Sequence, residues 1–336
     1  MKRLLPLFLL PFSCLAAEYP TVGSIERVDK AILDQLIPPD AKIEKLAEGF
    51  NWSEGPVWKD GTLLFSDVPE NVIYQWKPGE TKATVAIKPS GMTTPQDGFR
   101  EQGSNGLALD AKGNLIVCQH GDRRVARHLG DGKFETIADK FEGKRFSSPN
   151  DLAIHTSGDI YFTDPPYGLE KLNDSPLKEL PYNGVFRVTP KGEVSLVSKD
   201  ISFPNGIALS PDEKTLYVAD SKELKLYAFD VKADGTTENK RLFFDATPLR
   251  SADRKGSCDG LKTDARGNVW TTGPGGVLII NQQGKHLGSI LTGQATANCA
   301  WGEGGSVLYM TADMFICRVQ TTTKGLSPDP SEPSQK

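Results

Sequence analysis

A short apolar strand bounded by turn residues recurs six times in this chain, at intervals near 50 residues. It occupies residues 61–67, 113–119, 158–164, 214–220, 267–273 and 305–311. Each copy is rich in β-branched and aromatic residues, as in TLLFSD, NLIVC and DIYFT. A third strand follows each copy, at 72–76, 124–129, 184–189, 224–231, 277–281 and 315–320. Five units add a fourth, at 83–87, 134–139, 194–198, 240–245 and 286–291. The sixth unit instead runs into a polar Pro/Ser segment. The missing strand is at the other end, where 42–50 (KIEKLAEGF) has the same look as FETIADKF. This pattern predicts an all-β, six-bladed β-propeller with four antiparallel strands per blade. The N-terminal strand closes the last blade and protects edges that would otherwise be open. A pair of β-sandwiches would not explain six repeats.

The propeller is expected over 40–322 as one domain. Residues 18–39 form a lead-in, with a short helix at 28–36. Residues 323–336 read as a disordered polar tail. The first residues, MKRLLPLFLLPFSCLAA, combine a charged start, a short apolar run and a small-residue exit. They predict a signal peptide over 1–17 and a periplasmic or secreted protein. Cys14 is a less favoured acylation site, because Pro11 fits that signal poorly. Export would permit disulfides, but the spacing of Cys118, Cys258, Cys299 and Cys317 singles out no pairing. Buried free thiols are the simpler expectation.

Composition removes other classes. The 39 basic and 43 acidic side chains leave a formal charge of −4, with no basic stripe for nucleic acid. No apolar run reaches the length of a membrane span, so no stable membrane insertion is expected after signal cleavage. GxSxG, HExxH, P-loop and GxGxxG patterns are absent.

Each unit opens on a strand that would line the central channel. Its opening residues are Glu54, Asn105, Asn150, Asn205 and Asp259, with the sixth unit least regular around Asn298. An isolated Asn-Gly or Asp-Gly is an ordinary turn signal. Here an acid or amide recurs seven to nine residues before the turn in five units, which points to an axial ring. Two carboxylates at close range repel unless a cation lies between them. Oxygen-only ligands favour Ca2+, with Mg2+, Mn2+ or Zn2+ as substitutes; the lack of Cys and His disfavours zinc. The loops at 89–102 and 168–182 are rich in Gly, Pro and polar residues and suit a binding rim.

The motifs SEGPVW, SSPNDLAI, FPNGIALSPDEKTLYVADS and CDGLKTDARGNVW resemble the SMP-30/gluconolactonase family of calcium-dependent six-bladed propellers. GSNGLALDAKGNLIVCQHGDRRVARH looks like its bacterial gluconolactonase type. The resemblance covers essentially the whole chain after residue 17. It implies a metal held by Glu54, Asn205 and Asp259, with Asn150 at metal or substrate, and Asp259 as acid/base. It further implies a sugar lactone as substrate. One departure stands out: animal members carry an Arg where this chain has Ser148. A substrate-contacting acid in the following strand is also missing, with Tyr167 and Asp164 nearby instead.

The expected reaction is hydrolysis of a glucono-1,5-lactone-type ester. Asp259 would act as base on water or as nucleophile. His120, in QHGDRR, is a second acid/base candidate. Asn105, Asn150, His120, Arg123 and Tyr167 are the expected substrate contacts. Asp67, Asp164 and Asp220 share one strand-end position and are read as structural, as are Trp52, Trp58, Trp270 and Trp301. The alternatives are a hydrolase of phosphotriesters or other lactones on the same metal ring, and a non-enzymatic, calcium-stabilised binding propeller.

Overall fold

The computed structural model describes residues 18–326 and Asp329. The expected signal peptide, Cys14 and most of the expected tail lie outside the described residues. Six antiparallel sheets make the six-bladed propeller that the repeat predicts. The inner strands are Ser53–Lys59, Ser104–Leu109, Leu152–Ile154, Pro204–Leu209, Leu261–Thr263 and Asn298–Gly302. Each inner strand touches the next, and the sixth touches the first, so the ring is closed. Closure falls to Ile43–Glu48, which pairs with Phe315–Gln320 of the last blade (Phe315 opposite Glu48, Val319 opposite Ile43).

The lead-in is more than a linker. Thr21–Val22 adds a fifth strand to the last blade, opposite Glu44 and Ile43. Ser24–Arg27 adds a fifth strand to blade five, with Ser24 opposite Leu291 and Arg27 opposite Gly288. Gly23 makes the hop between them at φ +60°, and a Cβ there would fall 1.9 Å from the Leu291 carbonyl oxygen. Only glycine fits both demands. The helix shortens to a single turn, Lys30–Leu33, capped by Asp29. Leu33, Leu36 and Ile37 then pack onto the apolar wedge between blades five and six.

The apolar core is distributed as wedges between neighbouring blades. Trp270 meets Trp301 edge-on at 5.0 Å, and Trp58 stacks on Tyr309 at 5.1 Å. Cys118, Cys258, Cys299 and Cys317 are buried free thiols. Residues 323–326, assigned to the tail from sequence, are instead seated on the propeller. Thr323 Oγ1 donates to Asp264 Oδ2 at 3.1 Å. Gly325 N donates to the Gly305 carbonyl at 2.8 Å. Among the described residues no helix is long and apolar enough to cross a membrane.

Candidate metal centre and active-site cavity

The glycine after most opening residues is not a turn residue. It lies within the inner strand, where the next blade's backbone comes close. A Cβ on Gly55 would sit 2.0 Å from the Asn105 carbonyl oxygen. A Cβ on Gly206 would sit 2.0 Å from that of Asp259. Glycine inside a strand commonly marks such a close approach. Glu54 and Asn205 are thereby drawn close beside the openers of the next blades.

Strand-end aspartates aim three of the openers. Asp67 accepts from the backbone N–H groups of Asn51 and Trp52, at 3.0 and 3.1 Å. Asp164 accepts from Ser147 and Ser148, both at 2.8 Å. Asp220 accepts from Ser202 and Phe203, at 2.8 and 3.3 Å. Each staple clamps the chain just ahead of Glu54, Asn150 or Asn205. The strand-end aspartates are structural, as their repeated position suggests.

A cavity of about 460 Å³ opens above the ring. Glu54, Asn105, Asn150, Asn205 and Asp259 all line it, so the structure brings the five openers together. Tyr167 lines it too; its hydroxyl hydrogen-bonds Ser221 Oγ and its ring packs on Phe203. Trp52 is a wall residue as well, not only packing. Below the ring the channel turns apolar, walled by Val57, Leu107, Leu109, Leu152, Ile207 and Leu209.

His120 and Arg123 do not line this cavity. His120 is 0% exposed, and its Nδ1 lies 3.7 Å from Glu101 Oε2. Burial holds its pKa down, to about 3, so the imidazole is neutral. His120 N donates to the Gly103 carbonyl at 3.1 Å and Gly121 N to that of Gln102 at 3.2 Å, which ties this turn to the loop before Ser104. Arg123 is buried elsewhere: Nε donates to the Phe146 carbonyl at 2.6 Å and Nη1 lies 3.4 Å from Glu179. It ties blade two to the blade-three entrance. Ser148 is also occupied, donating to the Pro165 carbonyl and accepting from Gly168 N.

The cavity holds side chains that no repeat position announced. Arg100 and Glu101 enter from the 89–102 loop. Asp151, one position past Asn150 where blades one, two, four and five carry glycine, does not line the cavity but is buried close by, near Glu54 and Asn298. Its Oδ2 accepts from Asn298 Nδ2 at 3.3 Å. Asn298 also hydrogen-bonds Glu54, giving the irregular sixth unit a place in the ring.

The electrostatics are those of crowded, dry carboxylates. Burial pushes Glu54 up to about 8, with Asp151 and Glu101 adding repulsion. Burial, followed by Glu54, Asp151 and Glu101, drives Asp259 well above the carboxylate range. Asn105 Oδ1, Asn150 Oδ1 and Asp259 Oδ1 are buried without a hydrogen-bond partner. Buried acceptors are ordinarily satisfied, and three lining one cavity with excess negative charge fit a hard cation. Among the described residues no group of three or more His, Cys, Asp or Glu could hold a metal. Amide oxygens must therefore complete any site.

The fold and site define an axial-ring propeller whose polar cavity suits a cation and a small polar ligand. Residues 52–313 match the SMP-30/gluconolactonase/LRE-like region, and the chain belongs to that family. It is 38% identical over 321 residues to the gluconolactonase of Zymomonas mobilis, covering 91% of this chain and 88% of that one. It is 29% identical to a Staphylococcus aureus lactonase, drp35, over 73% of this chain and 69% of that one. The structure of a Xanthomonas campestris gluconolactonase superposes with TM-score 0.78 at 28% identity, covering 92% and 99% of the two chains. A calcium-binding regucalcin from Agrobacterium tumefaciens shares the fold, with TM-score 0.66 at 21% identity over 93% and 98%.

Proposed function

We propose that this protein is a metal-dependent lactonase that hydrolyses a sugar lactone of the glucono-1,5-lactone type to its aldonic acid. The lactonase activity follows the similarity to the gluconolactonases of Zymomonas mobilis and Xanthomonas campestris. The observation that carries the metal reading is the pair of unpartnered buried oxygens on Asn150 and Asp259. Glu54, Asn150, Asn205 and Asp259 would hold Ca2+, with Asn105 facing the substrate. Bound there, the cation supplies Lewis-acid polarisation of the carbonyl and charge stabilisation for the oxyanion.

Asp259 takes the proton from the attacking water and returns it to the departing ring oxygen. Its backbone N–H is anchored on Thr272 Oγ1 at 2.9 Å, which fixes the carboxylate's approach. Tyr167 and Trp52 wall the cavity and limit bulk water around the bound lactone. The N-terminal pattern supports export to the periplasm or beyond, with the propeller as the exported domain.

The test is acid release from D-glucono-1,5-lactone, measured above the spontaneous rate. It is run with Ca2+, with chelator, and with Asp259→Asn. We expect hydrolysis that chelation abolishes and that the substitution lowers at least ~100-fold. A folded, Ca2+-binding protein with no rate above background would reject this substrate and favour another ester. Full activity in chelator would reject the metal reading.

A further inference from the structure

Arg100 is the one cationic side chain among the described residues that line the cavity; Glu54, Asp259 and Glu101 are its acids. Arg100 Nη2 lies 2.8 Å from Glu101 Oε1, with the Arg half exposed and the Glu side chain 16% exposed. The pair therefore spans the wall, with the donor-only guanidinium toward the mouth and the acceptor-only carboxylate further in.

Their support is rigid. The Arg100 and Glu101 backbone N–H groups both donate to the Gly168 carbonyl, at 3.0 and 3.3 Å. Phe99 bridges Leu169, and Met92, Phe99 and Leu169 form a small apolar cluster with Leu177 against it. Asp122 N and Gly121 N hold the same segment to the top of blade two. The loop between blades one and two is thus zipped to the blade-three insertion that carries Tyr167. Behind the pair sits His120, with neither ring nitrogen bonded and Nδ1 3.7 Å from Glu101 Oε2. A shift of under 1 Å would make that contact a hydrogen bond.

A sugar lactone differs from a simple lactone by its hydroxyls, each a donor and an acceptor. A fixed carboxylate beside a fixed guanidinium can accept from one hydroxyl and donate to its neighbour. We propose that Arg100 and Glu101 form a clamp that reads the hydroxyls of the substrate and sets a preference for polyhydroxylated lactones over hydroxyl-free ones, with His120 as the positioning residue behind Glu101. This rests on the lactonase reading above.

The experiment compares kcat/KM for D-glucono-1,5-lactone with that for δ-valerolactone in the Ca2+-loaded protein, Arg100→Ala, Glu101→Gln and His120→Asn. Hydrogen bonds to charged groups imply that the ratio of the two falls roughly 10–100-fold in Arg100→Ala and Glu101→Gln, chiefly through KM for the sugar lactone. For His120→Asn we expect a smaller fall in the same ratio. A purely structural His120 would lower the melting temperature and leave the ratio unchanged. Equal losses on both lactones, or no loss in either of the first two variants, would overturn the clamp. Arg100 is half exposed, so its substitution should not prevent folding. Calorimetric binding of the unreactive glucono-1,5-lactam separates the two proposals. A protein that hydrolyses neither lactone yet binds the lactam in a Glu101-dependent manner rejects hydrolysis and keeps the clamp. One that does neither overturns both.

Discussion

Glu54 and Asp259 show how burial and a metal become linked through protons. Unfolded, Glu54 has an ordinary pKa near 4.5; folded and without a cation, burial holds it at about 8. Asp259 shifts in the same direction, again chiefly from burial. Across this interval the metal-free folded state binds more protons than the unfolded state. Its stability therefore falls as pH rises from about 4.5 to 8. A cation favours the ionised carboxylates and removes that penalty. Melting temperatures with chelator should decline between pH 5 and pH 8. The Ca2+-loaded protein should pull ahead over the same range, with the two converging near pH 5. A gap independent of pH would count against Glu54 and Asp259 as ligands. These two residues, with Asn105, Asn150 and Asn205, were legible in sequence because they recur in phase with the strands. Asp151 was not, since it breaks the glycine pattern and resembles a turn residue. His120 and Arg123 misled because QHGDRR has the composition of a site, while the side chains turn into the wall.

At the scale of single elements, the strand-end aspartate is the device that repeats. Asp220 holds two backbone N–H groups ahead of the Pro204–Leu209 strand and two more, on Lys222 and Glu223, in the turn that follows. Removing a buried acceptor leaves those donors without a partner, at about 1–3 kcal/mol. Asp220→Ala should lower the urea midpoint accordingly and weaken Ca2+ binding through a looser Asn205. Unchanged stability would show that water replaces the staple. Gly206→Ala should cost more, because the added Cβ meets a carbonyl oxygen of the backbone, which has no rotamer to escape into. Its expected outcome is a sharp loss of melting temperature or of soluble protein. Both devices recur at one position in several blades, and so the repeat announces them. The fifth strands Thr21–Val22 and Ser24–Arg27 were missed at this scale. Each is four residues or fewer, with no alternation long enough to register.

For the whole molecule, closure is the governing event. The ring depends on Ile43–Glu48 reaching a strand more than 260 residues away, and the lead-in then straps blades five and six together. Deleting residues 18–39 should preserve the ring but expose the wedge that Leu33, Leu36 and Ile37 cover. We expect a markedly lower melting temperature and aggregation on heating, with lactone hydrolysis retained at low temperature. A truncated chain that melts with the full one would show that the strap adds nothing.

Blade count, strand order, the closing strand and the ring of oxygens are all readable from the chain of residues alone. All of these follow from periodicity, and a side chain's face in a strand is set by its phase. Which other side chains share the cavity is settled by packing between blades and loops. The loops carrying Arg100, Glu101 and Tyr167 have no period. Their course is set by contacts such as Phe99 with Leu169 and two N–H groups on Gly168, made between segments some 70 residues apart. The same packing turned His120 from a cavity residue into the support behind one.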